Sequence, residues 1–374
     1  MNDIIKDPFK EYQRESEPGK RERYESWRTA IGLQAVDALA PSDYLLKTAK
    51  RHIEGELSID QVKDLITSYY EENPNNDKDG SKEADLVSAR IEEILNEKAF
   101  SFSANQLLSI HKRLFTGILP HAGKIRDYNI TKKEWVLDGN SVTYGNAEDL
   151  RRNLDYDLSE EKNYSYKGHT IVEILRHLAK FISRLWQNHI FGEGNTRTIA
   201  VFLIKYLRTL GFDVNNNPFA EHSWYFRNAL VRANYNDLQN GVHETTEYLE
   251  LFLRNLLLNE KNELHNREMH ISGTFQKQDI GSKKQDIESK KQDIEQEFPY
   301  SEVLYAAGFK AKSLSHTEKL YWEFGRERIF GRGDVVEVLG ITASPASTLL
   351  KRLLEADVIV PVSGAGKGKY RFKP

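Results

Sequence analysis

His189-Ile190-Phe191-Gly192-Glu193-Gly194-Asn195-Thr196-Arg197 joins two segments that read as core helices. Upstream, Ile171 to Trp186 (IVEILRHLAKFISRLW) carries apolar residues at helical spacing. Downstream, Thr198 to Leu210 (TIAVFLIKYLRTL) is apolar over most of its length. So short a join predicts a tight loop aimed into the N-terminus of the second helix. Unpaired backbone N–H groups and the helix dipole gather there, and they favour an anion such as phosphate. Glu193 is placed to hold a divalent cation bridging phosphate oxygens, and Arg197 to take a phosphate in a fork-like grip. His189 is left as the group that moves protons. This is the equipment of a nucleotide-using transferase.

Composition narrows the setting. The 374 residues suffice for two or three domains with real cores. A net charge of −3 and a pI of about 6.4 give no general pull toward nucleic acid or anionic membrane. The absence of cysteine excludes disulfides and Cys-ligated metals. The start, MNDIIKDPFKEYQRE, is too polar for a signal peptide, and no run of 18 apolar residues occurs. A cytoplasmic protein without membrane contact is expected, with export through a specialised injection system left open.

The loop resembles the signature of the Fic family, His-Pro-Phe-x-(Asp/Glu)-Gly-Asn-Gly-Arg-x-x-Arg, matching at His189, Phe191, Glu193, Gly194, Asn195 and Arg197. Leu107 to Phe115, Ala122 to Arg126 and Tyr225 to Leu230 extend the likeness over roughly residues 101–258. The resemblance implies a mostly α fold, a Fic-type helical core with a β-hairpin flap, and the pattern of the C-terminal segment adds a small winged helix-turn-helix domain. It implies transfer of AMP from ATP, with Mg²⁺, onto a Ser, Thr or Tyr hydroxyl of a protein. By the same resemblance His189 is the general base and Glu193 the Mg²⁺ ligand. Gly194, Asn195, Thr196 and Arg197 hold phosphate, Phe191 pins the loop, and Tyr225 and Asn228 are candidate walls of the nucleotide pocket.

Two positions depart from the signature. Thr196 stands where the family has Gly, which restricts φ and brings bulk toward the phosphate oxygens, although its hydroxyl could donate to them. Ala200 stands where a second Arg grips the γ-phosphate. A donor would then bind weakly, be another phosphate compound, or be gripped by Lys or Arg from elsewhere. Ile190 for Pro is milder.

Lys132 to Tyr144 places two β-prone runs around Asp138-Gly139, a strong tight-turn signal. In Fic proteins this is the flap that pairs with an extended target segment. The target-docking residues would be Glu134, Trp135, Val136, Leu137, Val142 and Tyr144, unless the hairpin is only structural.

Four regions are expected: an N-terminal helical segment over 1–100, the core over 101–270, a linker over 271–300 and a winged helix over 301–374. Trp27–Leu39, Ser42–Ile53 and Ile59–Tyr70 fit helices, the last with cap candidates Ser58 and Asp60, and Lys78 to Lys82 is a polar linker. The segment resembles the antitoxin-like helices found with many Fic domains, which carry an inhibitory Ser/Thr-x-x-x-Glu-Gly. Two partial matches end at Asp37-Ala38 and Glu54-Gly55. Asp37 has the better position and Glu54 the better residue type. With Ala200 replacing the Arg that such a carboxylate pairs with, classical inhibition is expected to be weak or absent.

Lys277-Gln278-Asp279-Ile280 recurs with period seven, as a charged helical spacer or a weak dimer seam. Helices over 316–324, 332–339 and 345–356 and strands over 358–362 and 369–372, around a Gly-rich wing, give the winged-helix pattern. Lys351, Arg352, Lys367, Lys369 and Arg371 are candidate DNA contacts. The third helix, however, offers Ser347 and Thr348 rather than base-reading side chains, so protein docking is the competing use. At the level of function, a Fic-type nucleotidyltransferase stands against a core without turnover acting as a DNA-binding regulator or adaptor.

Overall fold

Why residues 171–210 turn back on themselves is visible in the computed structural model, which describes residues 7–14, 17–77, 80–214, 217–272, 299–309, 311–326, 328–362 and 368–373. The heptad repeats, the tip of the wing with Lys367, and Lys78-Asp79 lie outside the described residues. The chain divides into two compact units, Met1–Arg126 with Ile130–Asp293, and Asp127–Asn129 with Ile294–Pro374.

The larger unit is helical: α1 (Pro18–Gly32), α2 (Asp43–Ile53), α3 (Ile59–Glu72), α4 (Ser81–Asn96), α5 (Ala104–Phe115), α6 (Leu150–Asn163), α7 (Ile171–Asn188), α8 (Asn195–Thr209), α9 (Asn217–Arg232) and α10 (Glu247–Leu258). Caps set the boundaries. Ser58 and Gln61 form a reciprocal capping box at α3, Thr170 and Glu173 another at α7, and the Ser42 hydroxyl accepts from Leu45 N–H at α2. The helix expected over Trp27–Leu39 ends earlier, at Gly32. It tightens into a 3-10 turn over Leu33–Asp37 that closes on left-handed Ala38.

α8 is buried from Asn195 to Leu207, as its unbroken apolar run demands; α4, α5 and α7 pack on it, and α9 and α10 extend the same core through α7. Two basic residues on α8 serve the end of another helix. Lys205 Nζ donates to the carbonyls of Ile94 and Glu97, and Arg208 Nη1 to that of Leu95, 2.6 Å away. Both therefore sit at the negative end of α4. A smaller cluster, including Phe9, Trp27, Leu45, Val62, Ile66 and Tyr70, ties α1, α2 and α3 to α4.

The second unit contains α11 (Ser301–Ala306), α12 (Ala311–Phe324), β1 (Phe330–Gly331), α13 (Arg332–Leu339), α14 (Ala343–Glu355), β2 (Ile359–Pro361) and β3 (Lys369–Phe372). Its antiparallel sheet runs β1-β3-β2, with Phe330 opposite Tyr370 and Ile359 opposite Phe372. This arrangement is consistent with a winged helix. Arg332–Leu339 and Lys369–Phe372 fall where the sequence puts them. α14 opens earlier than expected, at Ala343 with Thr342 before it, and the two-residue β1 carries no alternation to read. No helix among the described residues is long and apolar enough to cross a membrane.

α1 meets α9 at Gly32, where an added Cβ would lie 2.4 Å from the backbone of Ala220, and Ser223 Oγ donates to the Gly32 carbonyl at 2.7 Å. Gly32→Ala is therefore expected to lower stability by about 1–3 kcal/mol in urea melts through overpacking. Gly19→Ala in the same helix, whose nearest neighbour is a side-chain tip 3.7 Å away, should leave stability unchanged or slightly higher.

Candidate active site

The chain leaves α7 through His189, in the left-handed region at φ 46°, and enters α8 through Gly194 at φ 70°. Between them the loop is held by its own side chains. Asn195 Oδ1 accepts from Phe191 N–H at 3.0 Å, and Asn195 Nδ2 donates to the Phe191 carbonyl at 2.8 Å. Phe191 is buried and its ring stacks on His111 of α5 with centroids 3.6 Å apart. His111 Nδ1 accepts from Gly123 N–H at 2.8 Å, so its Nε2–H donates to the Glu193 carbonyl at 3.0 Å. A Cβ on Gly194 would stand 2.4 Å from the Phe115 ring, so this position admits only glycine.

Arg126 closes the other side. Its Nε donates to the His189 carbonyl at 2.6 Å, and its Nη2 to the carbonyls of Asn188 at 3.1 Å and Gly145 at 2.6 Å. A guanidinium thus terminates α7 at the negative end of its dipole.

His189 is 4 % exposed, with the Tyr144 ring 4.5 Å and the Trp186 ring 5.2 Å from its own. Burial, then the charges of Lys132, Arg126 and Arg227, hold its imidazole well below the usual histidine range, so it is neutral at neutral pH. Beside it α8 begins at Gly194, a cap residue with no side chain to occupy the first amides of the helix. Glu193 is exposed at the loop surface.

Several expected roles are redistributed. Thr196 lies within α8, and its Oγ1 accepts from Trp186 Nε1 at 3.0 Å. Helical φ removes the feared strain, and the side chain braces α7 against α8. Ala200 is fully buried. Arg197 is 2 % exposed and fully engaged: Nε lies 2.6 Å from Asp37 Oδ2, Nη2 donates to Glu83 Oε1 at 2.6 Å, and Nη1 donates to Gln34 Oε1 at 3.0 Å. Its guanidinium also stands over the Phe115 ring. Asp37 thus pairs with Arg197, not with a residue at position 200. Glu54 does not join it; that carboxylate pairs with Lys20 at 2.9 Å.

The segment expected as a two-stranded flap does reverse at Asp138-Gly139, with positive φ at both residues, but its flanks are not strands. Trp135–Leu137 winds into a 3-10 turn because Leu137 N–H and Gly139 N–H both fold back onto the Glu134 carbonyl. Glu134, Val136, Leu137, Val142 and Tyr144 are buried rather than displayed, and only Trp135 is partly exposed. The Val136 carbonyl already accepts from Ile271 N–H at 2.9 Å. Glu134 is fully buried, taking the Tyr144 hydroxyl at 2.8 Å and facing Arg227 Nη1 at 2.7 Å.

Tyr225 and Asn228 are core residues; Asn228 Nδ2 donates to Asn266 Oδ1 at 2.9 Å, while its buried Oδ1 has no hydrogen-bond partner among the described residues. In the second unit the basic side chains expected on DNA are largely answered within the fold. Lys351 lies 3.8 Å from Glu355, Lys369 lies 3.4 Å from Asp334, and Arg352 donates to the Gly308 carbonyl over the Phe309 ring. Arg371 is exposed.

Sequence reading missed His111, Arg126, Gln34 and Glu83 as parts of the site. A signal for His111 existed, since it occupies the apolar face that Leu107, Ile110 and Leu114 define on α5.

Residues 101–207 match the family model described as Fic/DOC family, and this part of the chain is a Fic/DOC domain. Among solved structures, the N-terminal FIC domain of Bep8, a VirB-translocated effector of Bartonella sp. 1-1C, is 18% identical. That match covers 49% of this chain and 88% of the other, with a TM-score of 0.38. A Fic family protein from Desulfovibrio desulfuricans G20 is 13% identical over 99% of this chain and 94% of the other, with a TM-score of 0.41. No curated protein sequence matches the chain.

Burial lowers the His111 pKa to about 4, so protons bind its unfolded form first. Its contribution to stability is therefore complete above about pH 6.5 and is lost as pH falls toward 4. Acid titration of stability across that window should be shallower in His111→Gln than in the wild type, and equal slopes would refute the assignment.

Proposed function

We propose that this protein is a Fic-type nucleotidyltransferase that moves AMP from ATP onto a Ser, Thr or Tyr hydroxyl of another protein, and that its own N-terminal helices restrain it. One juxtaposition carries the reading: a buried imidazole held neutral at the end of α7, beside the glycine-capped N-terminus of α8.

The neutral ring of His189 accepts the proton of the incoming hydroxyl, whose oxygen forms a bond to the α-phosphorus as the bond to the departing pyrophosphate breaks. The first amides of α8, from Asn195 through Arg197, face the phosphate charge without needing to reorient. Among the described residues no cluster of His, Asp and Glu could hold a metal unaided, so Glu193 fits a Mg²⁺ site only together with phosphate oxygens. A metal bound that way would offset the charge of the phosphates. Tyr144 lies against the imidazole and is tied to Glu134, so its ring borders the approach of a target hydroxyl to His189.

The phosphate grip is occupied by the protein itself. Asp37 and Glu83 sit on the Arg197 guanidinium where phosphate oxygens would, and two carboxylates answer its charge. This supports an inhibitory role for Asp37, shared with Glu83, while Glu54 has none.

For the second unit the internal pairing of Lys351, Lys369 and Arg352 favours protein docking over DNA. The exposed face of α14 carries Ser347, Thr348 and Leu354, and its Lys351 stands beside Glu355, so the face has no surplus of positive charge with which to meet a phosphate backbone. The docked partner is either a target or a second copy of the chain.

Incubation with labelled nucleoside triphosphates, Mg²⁺ and cell lysate should transfer label to protein, and His189→Ala should cut that transfer by about a hundredfold or more. Equal labelling by wild type and variant would end the enzyme reading. In the same assay Asp37→Asn combined with Glu83→Gln should raise transfer several-fold; unchanged or lower transfer would show that the two carboxylates position Arg197 rather than block it.

A further inference from the structure

We propose that the ammonium group of Lys132 binds the donor's phosphates beyond the one transferred, standing in for the guanidinium absent at Ala200. The assignment rests on the transferase reading above.

The cations around the loop differ in what they already hold. Arg126 is spent on the carbonyls of Asn188, His189 and Gly145. Arg227 faces the buried carboxylate of Glu134, 2.7 Å away. Arg197 is enclosed by Asp37, Glu83 and Gln34. Lys132 is different: half-buried, its ammonium makes no ion pair or hydrogen bond among the described residues. A half-buried ammonium without a counter-charge is costly, and an anionic ligand would remove that cost.

Its position is fixed from the backbone. Lys132 N–H donates to Ser141 Oγ at 3.2 Å, which pins this segment across from 141. Exposure alternates over the next residues, with Lys132 half-buried, Lys133 exposed and Glu134 buried, the pattern of an extended chain whose first and third side chains fall on one side. Glu134 reaches the Tyr144 hydroxyl on that side, and the Tyr144 ring lies against His189. Lys132 is thereby carried toward the same imidazole, and its charge weighs on that ring more than the charge of either Arg126 or Arg227 does. The His189 ring is itself buried, and its Nδ1 has no hydrogen-bond partner among the described residues, as expected of a site built around a ligand.

The position of the missing Arg has meanwhile become core. Ala200 is fully buried within the core cluster. A cation for the outer phosphates has to come from outside α8, and the loop carrying Lys132 faces the imidazole.

The test compares ATP, ADP and AMP binding by calorimetry in wild type, Lys132→Ala and Lys132→Arg, each also combined with Asp37→Asn/Glu83→Gln to free Arg197. Melting temperatures confirm that every variant folds. ATP and ADP should bind about tenfold or more tighter than AMP, the span of one charge-assisted contact. Lys132→Ala should bring ATP and ADP down to the level of AMP while leaving AMP unchanged, and Lys132→Arg should keep the preference. A preference that survives in Lys132→Ala overturns the assignment alone, and so does an equal loss of AMP binding, which would mark a structural role. Absence of any nucleotide binding in the background with Arg197 freed overturns the transferase reading together with it.

Discussion

Helix ends are polar, and in this protein several of them are buried. α7 must stop and α8 must start within six residues inside a core where water cannot satisfy their free carbonyls and amides. At the carbonyl ends of α7 and α4 the solution is the same: a long basic side chain reaches in and donates. Arg126 does this for α7, and Lys205 with Arg208 for α4. The amide end of α8 is treated differently. It begins at a glycine with no capping side chain, beside a neutral imidazole. The contrast is what makes the loop a candidate for chemistry, because of its two helix ends the one that favours an anion has no capping side chain.

The remaining packing keeps that end rigid. Asn195 locks the loop to itself, Phe191 stacks on His111, and His111 spans the Gly123 amide and the Glu193 carbonyl with both ring nitrogens. His111 can do this only while neutral, and burial secures that state. Thr196 is absorbed into the same scaffold through Trp186.

How much was legible depended on whether the information was local. α7, α8, the caps at Ser42, Ser58 and Thr170, and the helix Arg332–Leu339 follow from apolar spacing and short-range hydrogen bonding, and the sequence displays both. The loop itself was legible because a compact motif concentrates its chemistry in nine residues. The 132–144 segment misled because Asp138-Gly139 marks a reversal without saying whether its flanks pair. There, burial of Glu134, Val136 and Leu137 decided in favour of a tight turn. Least visible was what Arg197 touches. Gln34, Asp37 and Glu83 lie more than a hundred residues upstream, and no periodicity connects a carboxylate on one helix with a guanidinium on another.

That long-range contact makes α4 serve two masters. One face of α4 packs with α1 and α3, and its first turn places Glu83 on Arg197. Binding is reciprocal: whatever factor the carboxylates take from an anion's affinity for Arg197, the anion takes from the hold of the N-terminal helices on the core. On the reading proposed above, the N-terminal helices would therefore act as a sensor, and a protein that grasps α1 to α3 would tune the loop without approaching it.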